Sequence, residues 1–297
     1  MNGIKSLTFT LLMTVCTVCS AEAADITYTR ADSLKVVSLL KEGMKQKSGT
    51  NLMLYYGKKL QGIPYVAHTL EVNNKEKLVI NMREMDCTTF VETVFALALT
   101  TKDKSFKWQD YCRNLERIRY NEGLCNGYAS RNHYFLWWTE SNEKQRLVTL
   151  PMQELLKRSN VASYPYARKQ YININYMSTH SAAYKMLKGD KVAIKAVSTH
   201  ERASQGKVMM YIPADRVGLS SSQLKYIKDG DIIAIATKKK GLDTSHIGIA
   251  SWGKDKKLHL LNASQIHKKV ILEPKTMKQY MSEHPSQLGI WVIRPNL

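Results

Sequence analysis

The chain has 297 residues, 44% hydrophobic and 23% charged, with 44 Lys and Arg against 25 Asp and Glu, a formal net charge of +19. That content fills a sizeable core in one large domain or two small ones, and no fixed-period repeat or low-complexity tract interrupts it. The excess of positive charge favours an anionic partner, with general solubility as the plain alternative, and the lysines are spread out except for the run Lys238-Lys239-Lys240.

At the N-terminus, Lys5, the apolar run Leu7 to Val18 and then Ser20-Ala21-Glu22-Ala23-Ala24 follow the order of a secretory signal peptide. The run is shorter than the roughly 20 residues a membrane-spanning helix needs, so cleavage after Ala23 or Ala24 is expected rather than a permanent anchor. Residues 1–23 are read as the signal and 24–297 as a single exported domain without an integral membrane segment. Export makes nucleic acid a poor partner. Cys16 and Cys19 leave with the signal, and neither follows the small residue of a lipoprotein acceptor cysteine. Cys87, Cys112 and Cys125 remain, an odd count that suggests one pair and one free thiol. Cys112 and Cys125 are close enough for a local disulfide, and equally suited to be two buried apolar cysteines.

Leu34, Val37, Leu40 and Met44 predict a helix over 33–47, and a second helix is expected from Asn51 to Leu60, running into Gln61-Gly62-Ile63-Pro64. An extended Tyr65 to Val72, a turn at Asn73-Asn74 and a strand Leu78 to Met82 follow. Phe90, Val91, Val94, Phe95 and Ala98 predict an amphipathic helix from Cys87 to Leu99, with Asp86 as its N-cap. Trp108 to Ile118 reads as a helix, and Tyr120 to Glu140 as a long functional loop. Helical patterns return over 151–159 and 180–205, with Gly189 as a break. The last third is different: Val208 to Ile212, Asp231 to Thr237, Ser245 to Trp252, Lys257 to Ala263, Val270 to Glu273 and Gly289 to Arg294 read as strands. Helices followed by a meandering sheet point to an α+β fold with an antiparallel sheet.

Cys87 stands at the first turn of its helix, where the helix N-terminus favours thiolate. Its expected partner is His246, in Ser245-His246-Ile247-Gly248-Ile249-Ala250. On that strand Ile247 and Ile249 face the core, and His246, Gly248 and Ala250 form a small-residue floor on which a helix could lie. A three-residue hairpin loop of Gly253, Lys254 and Asp255 would pair Trp252 with Lys256 and His246 with Asn262, whose amide would orient the imidazole; His259 falls on the other face. Cys112, Cys125 and His133 lack the close paired spacing of a zinc site, and no nucleotide-binding loop or other cofactor motif is present.

Asp86-Cys87-Thr88-Thr89-Phe90-Val91, Gly230-Asp231-Ile232-Ile233, Ser245-His246-Ile247-Gly248-Ile249 and Asn262-Ala263-Ser264 together resemble NlpC-type cell-wall cysteine peptidases over roughly residues 50 to 294. The resemblance implies a papain-like core, with the nucleophile helix packed on an antiparallel sheet, extra N-terminal and mid-chain helices, and an insertion at about 120–205. Gly62-Ile63-Pro64-Tyr65, Thr69-Leu70-Glu71 and Gly127 to Phe135 look like its branch of periplasmic N-acetylmuramoyl-L-alanine amidases. That likeness implies a peptidoglycan-fragment substrate, cleaved between the anhydro-muramoyl lactyl group and L-alanine; separately, the chain is expected to be a monomer. The likeness also suggests Tyr65 at the oxyanion hole, and Arg131, His133 and Tyr134 as contacts to sugar or stem, each with loop anchoring or packing as the plain alternative. Where that branch has an acidic residue shortly after His133-Tyr134, this chain has Trp137. Two other expectations stand beside it: an endopeptidase cutting between D-glutamate and the diamino acid with the same three residues, and a non-catalytic peptidoglycan-binding protein.

Overall fold

The computed structural model describes residues 25–157 and 166–297, so the expected signal segment lies outside it. The chain runs through β1 (Ile26–Thr27), α1 (Arg30–Gly43), α2 (Leu52–Lys59), β2 (Leu78–Val79), α3 (Cys87–Lys102), α4 (Trp108–Arg119), α5 (Phe135–Lys144), β3 (Val148–Thr149) and α6 (Pro151–Lys157). After these come β4 (Arg168–Tyr171), α7 (Tyr176–Thr179), α8 (Lys191–Ser204), β5 (Val208–Pro213), β6 (Ile232–Thr237), β7 (Thr244–Trp252), β8 (Leu258–Ser264), β9 (Lys269–Leu272), α9 (Met277–Ser282) and β10 (Gln287–Pro295). No helix among the described residues is long and apolar enough to cross a membrane.

The fold is a mixed α/β arrangement on an antiparallel sheet in the order β4-β5-β10-β6-β7-β8-β9, with β3 against β10. Strand alternation gives it two apolar faces. Ala234, Ile247, Ile249, Leu261 and Trp291 share one core with α3, which packs on β7 and β8, while Ile233, Ile235, Ala250, Leu260 and Val292 share the other with α9 and with Val217 and Leu224. The helix with Cys87 therefore lies on the Ile247 and Ile249 face, not on the His246–Gly248–Ala250 floor expected from small residues. Large apolar side chains here offer α3 more buried area than a glycine floor would.

Five other expectations are corrected. α1 starts in a capping box between Thr29 and Asp32 and buries Val36, Leu39 and Leu40, leaving Leu34 60% exposed. Buried Asp32 accepts from the Met82 backbone N–H at 2.8 Å, which turns its own stripe of the helix inward. α3 is not amphipathic, because every residue from Thr89 to Thr101 is buried. Of the expected extended segment from Tyr65 to Val72 only Tyr65 pairs, as an isolated bridge to Met85, and turns follow. The loop that opens at Tyr120 ends at Tyr134, and the stretch before Gly189 forms only α7 and short turns, with α8 starting behind an Asp190 cap. The sequence pattern missed β1, β3, β4 and α9. Cys112 and Cys125 are both free thiols.

The polar groups buried along α3 are answered from neighbouring elements. Glu92 takes Arg119 Nε of α4 at 2.7 Å, both side chains almost fully enclosed, and Arg119 Nη1 donates to the Val79 carbonyl at 2.6 Å. Arg119→Met leaves a buried carboxylate without its cation and is expected to cost about 3–5 kcal/mol in urea unfolding, most of which Glu92→Leu added to it recovers.

Candidate active site

α3 begins at Cys87 because Asp86 ends the extended chain before it, accepting from Thr89 N at 2.8 Å while Thr89 Oγ1 receives the Asp86 N–H at 2.9 Å. The residue is thus the first of a helix held against β7. A backbone hydrogen bond from Ile247, next to His246, reaches the Cys87 sulfur. Cys87 and His246 line one cavity of about 230 Å³, together with Thr88, Asn132, His133 and Tyr184.

His246 Nε2 lies 2.9 Å from Asn262 Oδ1, and Asn262 Nδ2 donates to the Leu260 carbonyl at 3.2 Å. An amide oxygen only accepts, so Nε2 carries the proton and Nδ1 is left as the basic nitrogen. The hairpin register behind this bond differs from the expected one. Trp252 pairs with Leu258 and Ile249 with Leu261, across a five-residue turn rather than three, so Gly248 stands opposite Asn262. A shift of two preserves the face of every side chain, and the His246 to Asn262 bond forms on the diagonal. Gly248 makes this feasible: a Cβ there would lie 2.9 Å from Asn262 Cβ and 2.7 Å from Leu260 Cγ. His259 points away and bonds the Glu273 carbonyl at 3.0 Å.

The electrostatics correct a second expectation. Burial, then the Asp86 carboxylate, pushes the Cys87 thiol up to about 12, although the residue keeps partial solvent contact. Desolvation here outweighs the pull of the helix N-terminus. Burial also lowers the His246 pKa, with Asn262 acting against it by holding the ring's proton. At rest the site is therefore a neutral thiol beside a neutral imidazole.

The other sequence candidates surround this pair to different degrees. Tyr65 is clamped by its N–H to the Lys268 carbonyl at 2.9 Å and lies near Cys87, whose ionised form, after burial itself, raises the phenol to about 12. His133 donates from Nε2 to the Tyr128 carbonyl at 2.8 Å, and burial, then Arg131, drives its pKa well down, so it stays neutral. Tyr134 donates to Glu201 at 2.7 Å and receives Met177 N at 3.0 Å. Arg131 does not line the cavity of Cys87. It binds Glu71, approaches Glu76 at 3.7 Å and stacks over Tyr128, which anchors the loop. Trp137 is buried, donates to Ser204 at 2.9 Å and stacks on His200.

Two features had no sequence signal. α5 has no cap of its own, and Asp243 supplies one from the turn before β7, accepting from Leu136 N and Thr244 N, each at 2.7 Å. α9 packs Tyr280 on the face of the sheet that carries Ala250 and Leu260, and His284, just beyond the helix, stacks on Tyr280. A larger cavity, about 740 Å³, lies elsewhere, at the opposite end of α3 among Lys47, Lys102, Lys104 and Lys228.

Residues 55–290 match the profile of the N-acetylmuramoyl-L-alanine amidase-like (AmiA-like) family. Two crystal structures of an N-acetylmuramoyl-L-alanine amidase from Bacteroides uniformis superpose with TM-scores of 0.73 and 0.74 at 36% and 35% identity, each over 86% of this chain and 99% and 100% of theirs. A provisionally named xylanase from Bacteroides fragilis is 39% identical, with a TM-score of 0.72 over 81% of this chain and 99% of its own. No curated protein sequence matches the chain.

In an NMR titration of Cys87→Ala protein, the His246 ring is expected to titrate below the ordinary 6.5, and Asn262→Ala to move it further down, because the lost bond favours the protonated ring. A shift upward on removing Asn262 would contradict the assigned tautomer.

Proposed function

The chain belongs to the N-acetylmuramoyl-L-alanine amidase-like family, and from that premise we propose that it is a cysteine hydrolase that cuts the bond between N-acetylmuramic acid and L-alanine in peptidoglycan fragments. Its preferred substrates carry anhydro-muramic ends, and it works in the periplasm after export. The observation that carries the reading is the His246 to Asn262 bond at 2.9 Å, which leaves Nδ1 as a base in the cavity lined by Cys87. In this reading the core is of the papain-like, NlpC type.

Because thiol and imidazole are both neutral at rest, the thiol proton passes to His246 Nδ1 as sulfur attacks the lactyl carbonyl, not before. The backbone N–H of Cys87, at the open start of α3, donates to the developing oxyanion, with Tyr65 beside it. Collapse of the tetrahedral intermediate breaks the C–N bond, and His246 returns its proton to the departing L-alanine amine. Water then hydrolyses the thioester, with His246 again as base. Glycoside hydrolysis would require two carboxylates free to work on opposite sides of the bond. Asp86 and Asp243 are both taken up as helix caps, which favours the amidase.

Mass spectrometry of purified muropeptides with anhydro and reduced ends is expected to show release of the sugar and intact stem by wild type, and none by Cys87→Ala. Cleavage within the stem would select the D-glutamyl endopeptidase, and binding without cleavage the non-catalytic protein. The base must be neutral to act and its pKa is lowered, so kcat/KM should stay on its plateau through pH 6.5 and fall only in more acidic buffer. An acid limb above 7 would contradict the neutral pair.

A further inference from the structure

The cavity of about 740 Å³ takes no part in the chemistry at Cys87. It lies at the other end of the 16-residue α3, roughly 24 Å along the axis, where the α1–α2 loop, the loop leaving α3 and the turn before β6 meet. Five cations line it, Lys47, Lys102, Lys104, Lys228 and Arg294, against Asp229 and Asp231. Arg294 is held by Asp231 at 2.7 and 2.9 Å, and Lys102 Nζ donates to the Asn296 carbonyl at 2.8 Å. Asp229 accepts the Trp252 N–H at 2.7 Å. The ammonium groups of Lys47, Lys104 and Lys228 have no carboxylate within ion-pair distance among the described residues. Even with a carboxylate at Leu297, the cavity keeps an excess of two positive charges.

Apolar side chains stand among these lysines. Met44 and Leu297 line the cavity and are 38% and 41% exposed, and Phe106, two residues past Lys104, is 50% exposed. Single exposed apolar residues are ordinary, but three beside unpaired lysines combine the two attractions of an interfacial surface: burial of apolar groups at the headgroup boundary and attraction to anionic lipid. A soluble phosphate or a carboxylate-bearing polymer would answer the lysines and leave Met44, Phe106 and Leu297 in water. We propose that this end of the protein docks on an anionic phospholipid surface, with a headgroup phosphate in the cavity among Lys47, Lys104 and Lys228. Docking turns the cavity of Cys87 away from the bilayer, with α3 as the spacer between the two. Nothing in this depends on which bond is cut at Cys87.

The test is vesicle flotation with residues 24–297, so that the apolar run of the expected signal adds no binding of its own. Vesicles of phosphatidylcholine with about 30% phosphatidylglycerol are expected to carry the protein, less so as salt rises, and pure phosphatidylcholine is not. The triple variant Lys47→Gln, Lys104→Gln, Lys228→Gln is expected to weaken binding roughly a hundredfold, at about fivefold for each lysine near the surface. Lys188→Gln, Lys191→Gln, Lys195→Gln removes the same charge from the exposed start of α8 and should leave most of the binding. Met44→Ser with Phe106→Ser should weaken binding while its salt dependence stays. Equal loss from the two triple variants would mean that net charge alone is sensed, and would overturn the site. So would full binding by the Met44 and Phe106 variant, or no binding to anionic vesicles. Binding of soluble glycerol phosphate or of purified peptidoglycan that the Lys47, Lys104 and Lys228 changes abolish, with vesicles left unbound, would overturn it in favour of that ligand.

Discussion

From Thr89 to Thr101, α3 has no side exposed to water, and each polar group on it must be answered by a neighbour. Glu92 finds Arg119, and Thr100 Oγ1 accepts from Asn114 Nδ2 at 3.1 Å while donating to the Ala96 carbonyl at 2.7 Å, so α4 is fixed against α3 by polar contacts as well as packing. The sheet takes the opposite side with Ile247, Ile249 and Leu261. Cys87 is then set at the end of an enclosed rod, and the strand that supplies His246 is part of what encloses that rod.

The same enclosure explains the chemistry of the thiol. A helix start alone would stabilise thiolate, but a helix start packed into a protein is also dehydrated, and here a capping carboxylate precedes the sulfur. A cap that suits the backbone thus works against the charge that would make the nucleophile reactive. Asn262 balances this at the other end of the pair by holding the imidazole in the one tautomer that presents a base.

Much of this was legible in the sequence, for physical reasons that can be separated. Strand alternation has a period of two, so His246 and Asn262 were assigned to one face even though the turn is two residues longer than expected; parity survived where register did not. The Asp86 cap was visible because capping is local. The face of α1 was not, because Leu34 and Val36 are equally apolar and a single bond from Asp32 to Met82, fifty residues away, decides between them. The all-round burial of α3 was hidden by Thr88, Glu92 and Thr93, which look like a solvent face unless Arg119 is known to be waiting. The direction of the Cys87 shift depends on packing, which no local pattern carries, and α9 is too short to show a helical period.

Asp243 carries a further consequence. Its two oxygens are gripped at the same distance by the first turn of α5 and by the head of β7, the two walls between which the cavity of Cys87 opens. A carboxylate has a fixed span, so the gap is gauged by a rigid chemical spacer and not by the length or softness of a loop. Relatives built on this plan could trade the residues that line the walls without changing the clearance between them, and a change of clearance would have to begin at this one side chain.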